Sequence, residues 1–155
     1  MNIIQEFETI TAIATPIGTG GVGVIRISGE KSFQIVEKLF SQKLIAGKIY
    51  HGWLIDEGKR IDEVIILPFK SPKSYTGEDV IEIQCHGGIN VVRNILDVVL
   101  KNGARPAERG EFTKRAFLNH KIDLSQAEAV CDLIHAKTQN FAIQSAKNLS
   151  GFLAQ

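Results

Sequence analysis

The chain has 155 residues, 44% of them hydrophobic, and a formal net charge of +1 at pH 7. That length suits one globular domain with a core that needs no staple and room for an appended piece, and with the near-neutral charge nothing global points to nucleic acid or an anionic membrane. Two cysteines, Cys85 and Cys131, are too few for a disulfide framework and point to a reducing compartment. The N-terminal stretch MNIIQEFETI lacks the basic and apolar regions of a secretory signal, and no apolar run is long enough to span a bilayer, so a cytoplasmic protein is expected.

In chain order, TITAIAT (9–15) alternates enough for a strand, and the β-branched run VGVIRIS (22–28) is a second. Between them, Gly18, Gly20 and Gly23 spell G-x-G-x-x-G, the letters of a dinucleotide-binding fingerprint. That fingerprint requires a helix directly after the loop and an acidic residue about 20 positions on. Here a β-branched segment with an internal glycine follows, which disfavours a helix. The nearest acidic residue, Glu37, falls inside a predicted helix, and no G-K-[ST] triplet is present. The glycines are therefore read as the turn of a strand–turn–strand hairpin, allowing positive φ or close backbone approach.

EKSFQIVEKLF (30–40) places Phe33, Val36, Leu39 and Phe40 on one helical face. KIYHGWLID (48–56) and IDEVIILPF (61–69) form a hairpin around EGKR, with Pro68 ending the second strand or lying on an edge. SPKSYTGED (71–79) is turn chemistry, and VIEIQCH (80–86) is a strand broken by Gly87-Gly88. Over 89–102 the stripe Ile89, Val92, Ile95, Leu96 and Val99 predicts a helix capped by Gly103. A brief helix follows over 111–119. The last helix opens on a Ser125-x-x-Glu128 capping box and continues to about Ser150, with Val130, Leu133, Ile134, Phe141 and Leu149 as apolar positions. The hairpins argue against an all-parallel sheet, so the fold is expected to be α+β, with a mixed or antiparallel sheet followed by a long α-helix. The body would be residues 1–120. The final helix has little chain left to cover it, so it is expected to pack on another chain or domain.

Two charged side chains look misplaced. Arg26 sits in the apolar strand 22–28 on the side of Val24, and Glu82 sits in 80–86 on the side of Val80 and Gln84. A lone charge is expensive to bury. The two either pair with each other or lie on a solvated face, or they line a ligand pocket. Cys85-His86 is a weak catalytic candidate, because neighbours on a strand point to opposite faces and a reactive thiol needs its base nearby. His51, His120, His135 and Cys131 show no metal-ligand spacing, and Cys131 is read as a packing residue of the last helix. Glu78 and Asp79 serve either acid–base work or the hydrogen bonding of their turn. No catalytic residue and no metal site is assigned. Residues 101–121 carry Lys101, Arg105, Arg109, Lys114, Arg115 and Lys121 against Glu108 and Glu111, which is either an anion or RNA contact surface or a solvated helix face.

Three long blocks, IATPIGTGGVGVIRISG, SYTGEDVIEIQCHGG and RGEFTKRAFLNHKIDLSQAEAVCDLIHAKT, together resemble the N-terminal part of the MnmE (TrmE) family of tRNA modification GTPases, over roughly residues 8–151. The resemblance implies a residue 1–120 domain with the fold of folate-dependent aminomethyltransferases, which binds a 5-formyl-tetrahydrofolate and forms a homodimer. Residues 121–155 would then be the first segment of a helical domain into which a GTPase domain is inserted. With the flavin- and NADH-using partner protein MnmG, family members modify the wobble uridine of certain tRNAs, using GTP with magnesium and potassium. Carried over by motif, the folate contacts fall on Arg26 in VIRISG, Glu82 in VIEIQCHGG and Lys121 in FLNHKIDL, and the first two are the residues that looked misplaced. A carboxylate such as Glu82 can accept two donors of a pterin ring. The sequence departs from the family pattern at Thr19, Ile89 and Arg109, where arginine, proline and proline are usual. With no P-loop in the sequence, the chain by itself is expected neither to bind nor to hydrolyse GTP. The alternative reading is a structural dimerisation domain with no ligand.

Overall fold

Strand β2 (Val22–Ser28) and strand β5 (Val80–His86) set the architecture, because their alternation fills one face with Ile25, Ile27, Ile81 and Ile83, all fully buried. The computed structural model describes residues 7–16 and 20–134. It adds β1 (Ile10–Ile13), β3 (Tyr50–Asp56), β4 (Lys59–Phe69) and β6 (Arg105–Pro106) in one six-stranded sheet of order β3-β4-β5-β2-β1-β6. Every neighbouring pair is antiparallel except β1 with β6. This is the expected α+β fold with a mixed sheet.

Two amphipathic helices, α1 (Ser32–Leu39) and α2 (Ile89–Lys101), cover the apolar face. They bring Ile35, Val36, Leu39, Val92, Ile95 and Val99 onto Ile25, Ile27, Val64, Ile66, Ile81 and Ile83 as one core. Helix α2 ends as its stripe predicts: Gly103 N–H donates to Leu100 O at 3.2 Å and Ala104 N–H to Val99 O at 3.5 Å, the Schellman pattern. Leu96 is only half-buried and Ile89 is exposed, so the buried stripe is narrower than expected.

The β3–β4 hairpin turns on Glu57 and Gly58, both at positive φ (49° and 78°), the signature of a two-residue turn matched to strand twist. Lys59 and Arg60 therefore belong to β4, two residues earlier than expected. Pro68 lies beyond the last β3–β4 pair, Tyr50↔Ile66, while still opposite Ile81 of β5. Its missing N–H thus falls on a locally unpaired edge. The glycine turn does join two antiparallel strands, with Ala14 N–H donating to Val24 O at 2.7 Å. Ile17, Gly18 and Thr19 lie outside the described residues. On the described side the chain passes so close to Gly87 that a Cβ there would sit 1.9 Å from Gly20 O. Backbone contact thus occupies the space beside Gly20.

Helix α3 (Glu111–Leu118) and loop 71–79 lie at one end of the sheet's other face. A further helix starts at 124 and is described to 134. Its capping box is not Ser125/Glu128. Asp123 Oδ1 accepts from Gln126 N–H at 2.7 Å, and Gln126 Oε1 accepts from Asp123 N–H at 2.9 Å. The Asx side chain one residue before the helix wins the cap, leaving Ser125 inside the first turn. Cys131 is exposed rather than packed. The expected continuation through Phe141 and Leu149 lies outside the described residues. None of the helices among the described residues is long and apolar enough to cross a membrane.

Candidate functional site

Register puts Arg26 directly opposite Glu82 on the β2–β5 pair, with Ala12 of β1 and Leu67 of β4 on either side. The side chains close on each other. Arg26 Nε donates to Glu82 Oε1 at 3.1 Å, and Nη2 lies 3.0 Å from the same oxygen. The pair is neither buried nor solvated, at 28% and 23% side-chain exposure. Two rings flank the guanidinium, Tyr75 with its centroid 5.6 Å away and Phe112 at 5.5 Å. Aromatic faces attract a cation and exclude water from one side of it. The result is a partly exposed cluster of a guanidinium, a carboxylate and two aromatic rings, groups suited to a planar ligand with hydrogen-bond donors and acceptors.

Lys121 lies against the same loop. Its backbone N–H donates to Ala116 O at 2.8 Å. Gly77 packs so closely that an added Cβ would meet Lys121 Cγ at 3.2 Å and Asn119 Cβ at 2.9 Å. Arg26 and Glu82 are thus brought together, and Lys121 stands exposed beside the loop that carries Tyr75.

Arg115 is the residue that the sequence concealed. It reads as one more cation of a basic segment, yet its side chain is 3% exposed. Nη1 donates to both oxygens of Glu78 at 3.1 and 3.2 Å, and Nη2 reaches Glu111 Oε2 at 3.4 Å. Arg105 forks onto the same Glu111 at 2.8 and 2.6 Å and also holds Glu8 at 2.7 Å. Burial works to raise the Glu111 carboxyl, but the hydrogen bonds from Arg105 and the Glu108 N–H, with the Arg105 and Arg115 charges, outweigh it and hold the group below the ordinary glutamate range. Lys101 pairs with Asp56 and Glu57 at 2.9 and 3.1 Å. Lys101, Arg105 and Arg115 of this basic segment are therefore committed to internal ion pairs. The i,i+4 spacing of Glu111 and Arg115 was the available signal.

Glu78 and Asp79 bond their own surroundings. Asp79 accepts from Ser71 N–H at 2.9 Å and pairs with Lys70 at 3.1 Å, while Glu78 takes Ser28 Oγ at 2.8 Å as well as Arg115. Cys85 is buried, and burial followed by the nearby Asp62 charge pushes its thiol up to about 11, so it is no nucleophile at neutral pH. His86 turns away from it and gives its ring Nδ1 to Asp62 at 2.7 Å. No group of three or more His, Cys, Asp and Glu among the described residues is arranged to hold a metal ion. Further along the open face, His51, Glu63, Ile65, Gln84 and His86 line a groove of about 370 Å³, with His51 Nε2 2.7 Å from Glu63.

Fold and site together define a small α+β domain built around an ion-paired, half-open sheet face, with a glycine hairpin in place of a nucleotide loop. The chain belongs to the family described as the GTP-binding protein TrmE N-terminus, whose pattern it matches over residues 9–121. Proteins named tRNA modification GTPase MnmE are its relatives. That of Caldicellulosiruptor saccharolyticus is 52% identical over 97% of this chain and 35% of its own length. That of Thermotoga maritima is 52% identical over 94% of this chain and 33% of its own length. The Streptococcus mutans protein is 49% identical over 98% of this chain and 34% of its own length. The chain spans about a third of the length of these curated relatives.

Proposed function

We propose that this chain is the folate-binding and dimerisation module of a tRNA-modifying GTPase. Arg26, Glu82 and Lys121 hold a 5-formyl-tetrahydrofolate or related tetrahydrofolate, with the Glu82 carboxylate accepting from pterin N–H donors and the two cations meeting the ligand's carbonyl or carboxylate oxygens. The observation that carries the reading is the Arg26–Glu82 pair, in register on the uncovered sheet face under Tyr75 and Phe112. In this reading residues 1–120 form the module, with the fold of the folate-dependent aminomethyltransferases, and 121–155 begin a helical domain. The whole protein is cytoplasmic and homodimeric. It acts on tRNA with an MnmG-type partner and uses GTP, magnesium and potassium at a domain other than this one. Titration calorimetry of the chain with 5-formyltetrahydrofolate tests it. Saturable binding that Arg26→Ala and Glu82→Ala each abolish is expected; no saturable binding, or binding indifferent to both substitutions, defeats the proposal.

One observation favours a second reading, in which the domain serves dimerisation alone. Arg26 and Glu82 already satisfy each other at 3.0 Å. Light scattering at micromolar concentration separates the parts. A monomer mass removes the dimerisation claim from both readings, while a dimer that binds no folate leaves the second.

A further inference from the structure

Loop 71–79 and helix α3 share no sheet register, yet Tyr75 of the one and Phe112 of the other face the same guanidinium. We propose that Arg115 is the positioning residue that arranges this: by forking between Glu78 of the loop and Glu111 of α3 it locks the two segments together, fixes both rings on Arg26, and so sets the affinity of the ligand site. The affinity part of this rests on the folate-binding reading above; the positioning part does not.

The geometry runs from the buried charge outward. A guanidinium at 3% exposure is tolerable only when carboxylates lie against it, and Glu78 and Glu111 supply one from each segment. Arginine's planar fork presents Nη1 to Glu78 and Nη2 to Glu111 in one fixed geometry, whereas a lysine would bring a single nitrogen with no fixed plane. Glu78 extends the lock to the sheet. Ser28 Oγ donates to Glu78 Oε1 at 2.8 Å and meets Thr76 Oγ1 at 2.7 Å; since the serine has a single proton, Thr76 is the donor there. Ser28 stands two residues from Arg26 on the same face of β2. Glu111 extends the lock the other way, to Arg105 beside β1. Lighter bonds close the same seam. Tyr75 Oη lies 2.9 Å from Thr113 Oγ1, one residue from Phe112, and Asn119 Nδ2 donates to Thr76 O at 2.9 Å. The seam is peripheral to the core, which is packed on the opposite face. Loosening it therefore changes where the rings sit before it changes whether the domain folds.

The test is the Arg115→Lys variant of this chain, read by NMR at the Arg26 Hε proton, a resonance identified by its loss in Arg26→Lys. In the wild type that proton is held in the Glu82 bond and shifted by the two rings. In Arg115→Lys the shift is expected to collapse toward the free-arginine value. Amide exchange should quicken at 75–79 with β5 and α2 unchanged, and the Kd for 5-formyltetrahydrofolate should rise about tenfold, as when the partner that orients a ligand-holding side chain is lost. Glu78→Gln, which weakens the loop arm of the Arg115 fork and keeps both rings, should move the same proton less and in the same direction, and it tests the same lock if Arg115→Lys does not fold. An unmoved Arg26 proton, or exchange that quickens equally in β5 and α2, overturns the positioning role. A moved proton with unchanged Kd overturns the affinity claim. A wild type that binds no folate defeats the ligand reading, and the Arg26 proton still decides whether Arg115 positions the rings.

Discussion

The two faces of the β2–β5 pair share one register and do opposite work. On the covered face the partners are Gly23–Cys85, Ile25–Ile83 and Ile27–Ile81; on the other they are Val22–His86, Val24–Gln84, Arg26–Glu82 and Ser28–Val80. The first set is sealed by α1 and α2. The second is roofed at the Ser28 end by loop 71–79 and α3 and left open toward Val22 and His86. A single period-two pattern thus sets the apolar core and the charged face back to back, so on the proposed folate-binding function substitutions one residue apart should fail in different assays.

The covered face should give the largest effect. Ile83→Ala removes a fully buried side chain from the centre of the core and should cost about 2–5 kcal/mol of unfolding free energy in urea denaturation. Ligand affinity of the folded fraction should be unchanged. A loss below about 1 kcal/mol would mean that the two faces share the load, and the comparison would fail. Next in size is Gly87→Ala, at the end of the same strand. A Cβ there meets Gly20 O at 1.9 Å and Val22 N at 3.0 Å, backbone that cannot swing aside, so about 1–3 kcal/mol of strain is expected by the same measurement.

Much of this was legible in the sequence. Strand β2 falls on its predicted residues, as does β5, because β-branched runs bounded by glycine and turn residues leave little choice. Arg26 and Glu82 stand out for a related reason: each breaks an apolar run at a position whose face is fixed by alternation. The cap at Asp123 was missed because two overlapping S/T/D-x-x-E/Q patterns compete there, and only the helix start decides between them. Arg115 was missed because burial of a cation depends on carboxylates that come from 37 residues away as well as from its own helix. Tyr75 and Phe112 share that difficulty: their meeting over Arg26 is a product of loop and helix placement, which local pattern does not encode.

The ionic seam at the end of the open face gives a pH-dependent effect. Glu111 is held below its ordinary range in the folded chain, so the unfolded chain takes up its proton more readily. Its contribution to stability is complete above the ordinary glutamate range and is lost as pH falls through the folded value. Urea midpoints measured from neutral pH downward should therefore drop on acidification, and Glu111→Gln should flatten that drop while lowering stability at neutral pH. A glutamine variant with the same acid dependence as the wild type would show that other carboxylates carry the effect.

The smallest change in stability should come from the pair itself, and it sharpens the comparison most. Arg26 and Glu82 are each about a quarter exposed, so water already screens their attraction, and ion pairs of this kind are worth about 0–1 kcal/mol. Glu82→Gln keeps the shape and one acceptor oxygen while removing the charge. It should unfold within about 1 kcal/mol of the wild type. Its affinity for 5-formyltetrahydrofolate should fall by more than tenfold, because charge-assisted bonds to a carboxylate are roughly twice as strong as neutral ones. Ile83, the next residue along β5, should show the reverse: a large loss of stability and no loss of affinity. If Glu82→Gln destabilised as much as Ile83→Ala and left binding intact, the open face would be a second structural face, and the Arg26–Glu82 pair would hold the sheet rather than a ligand.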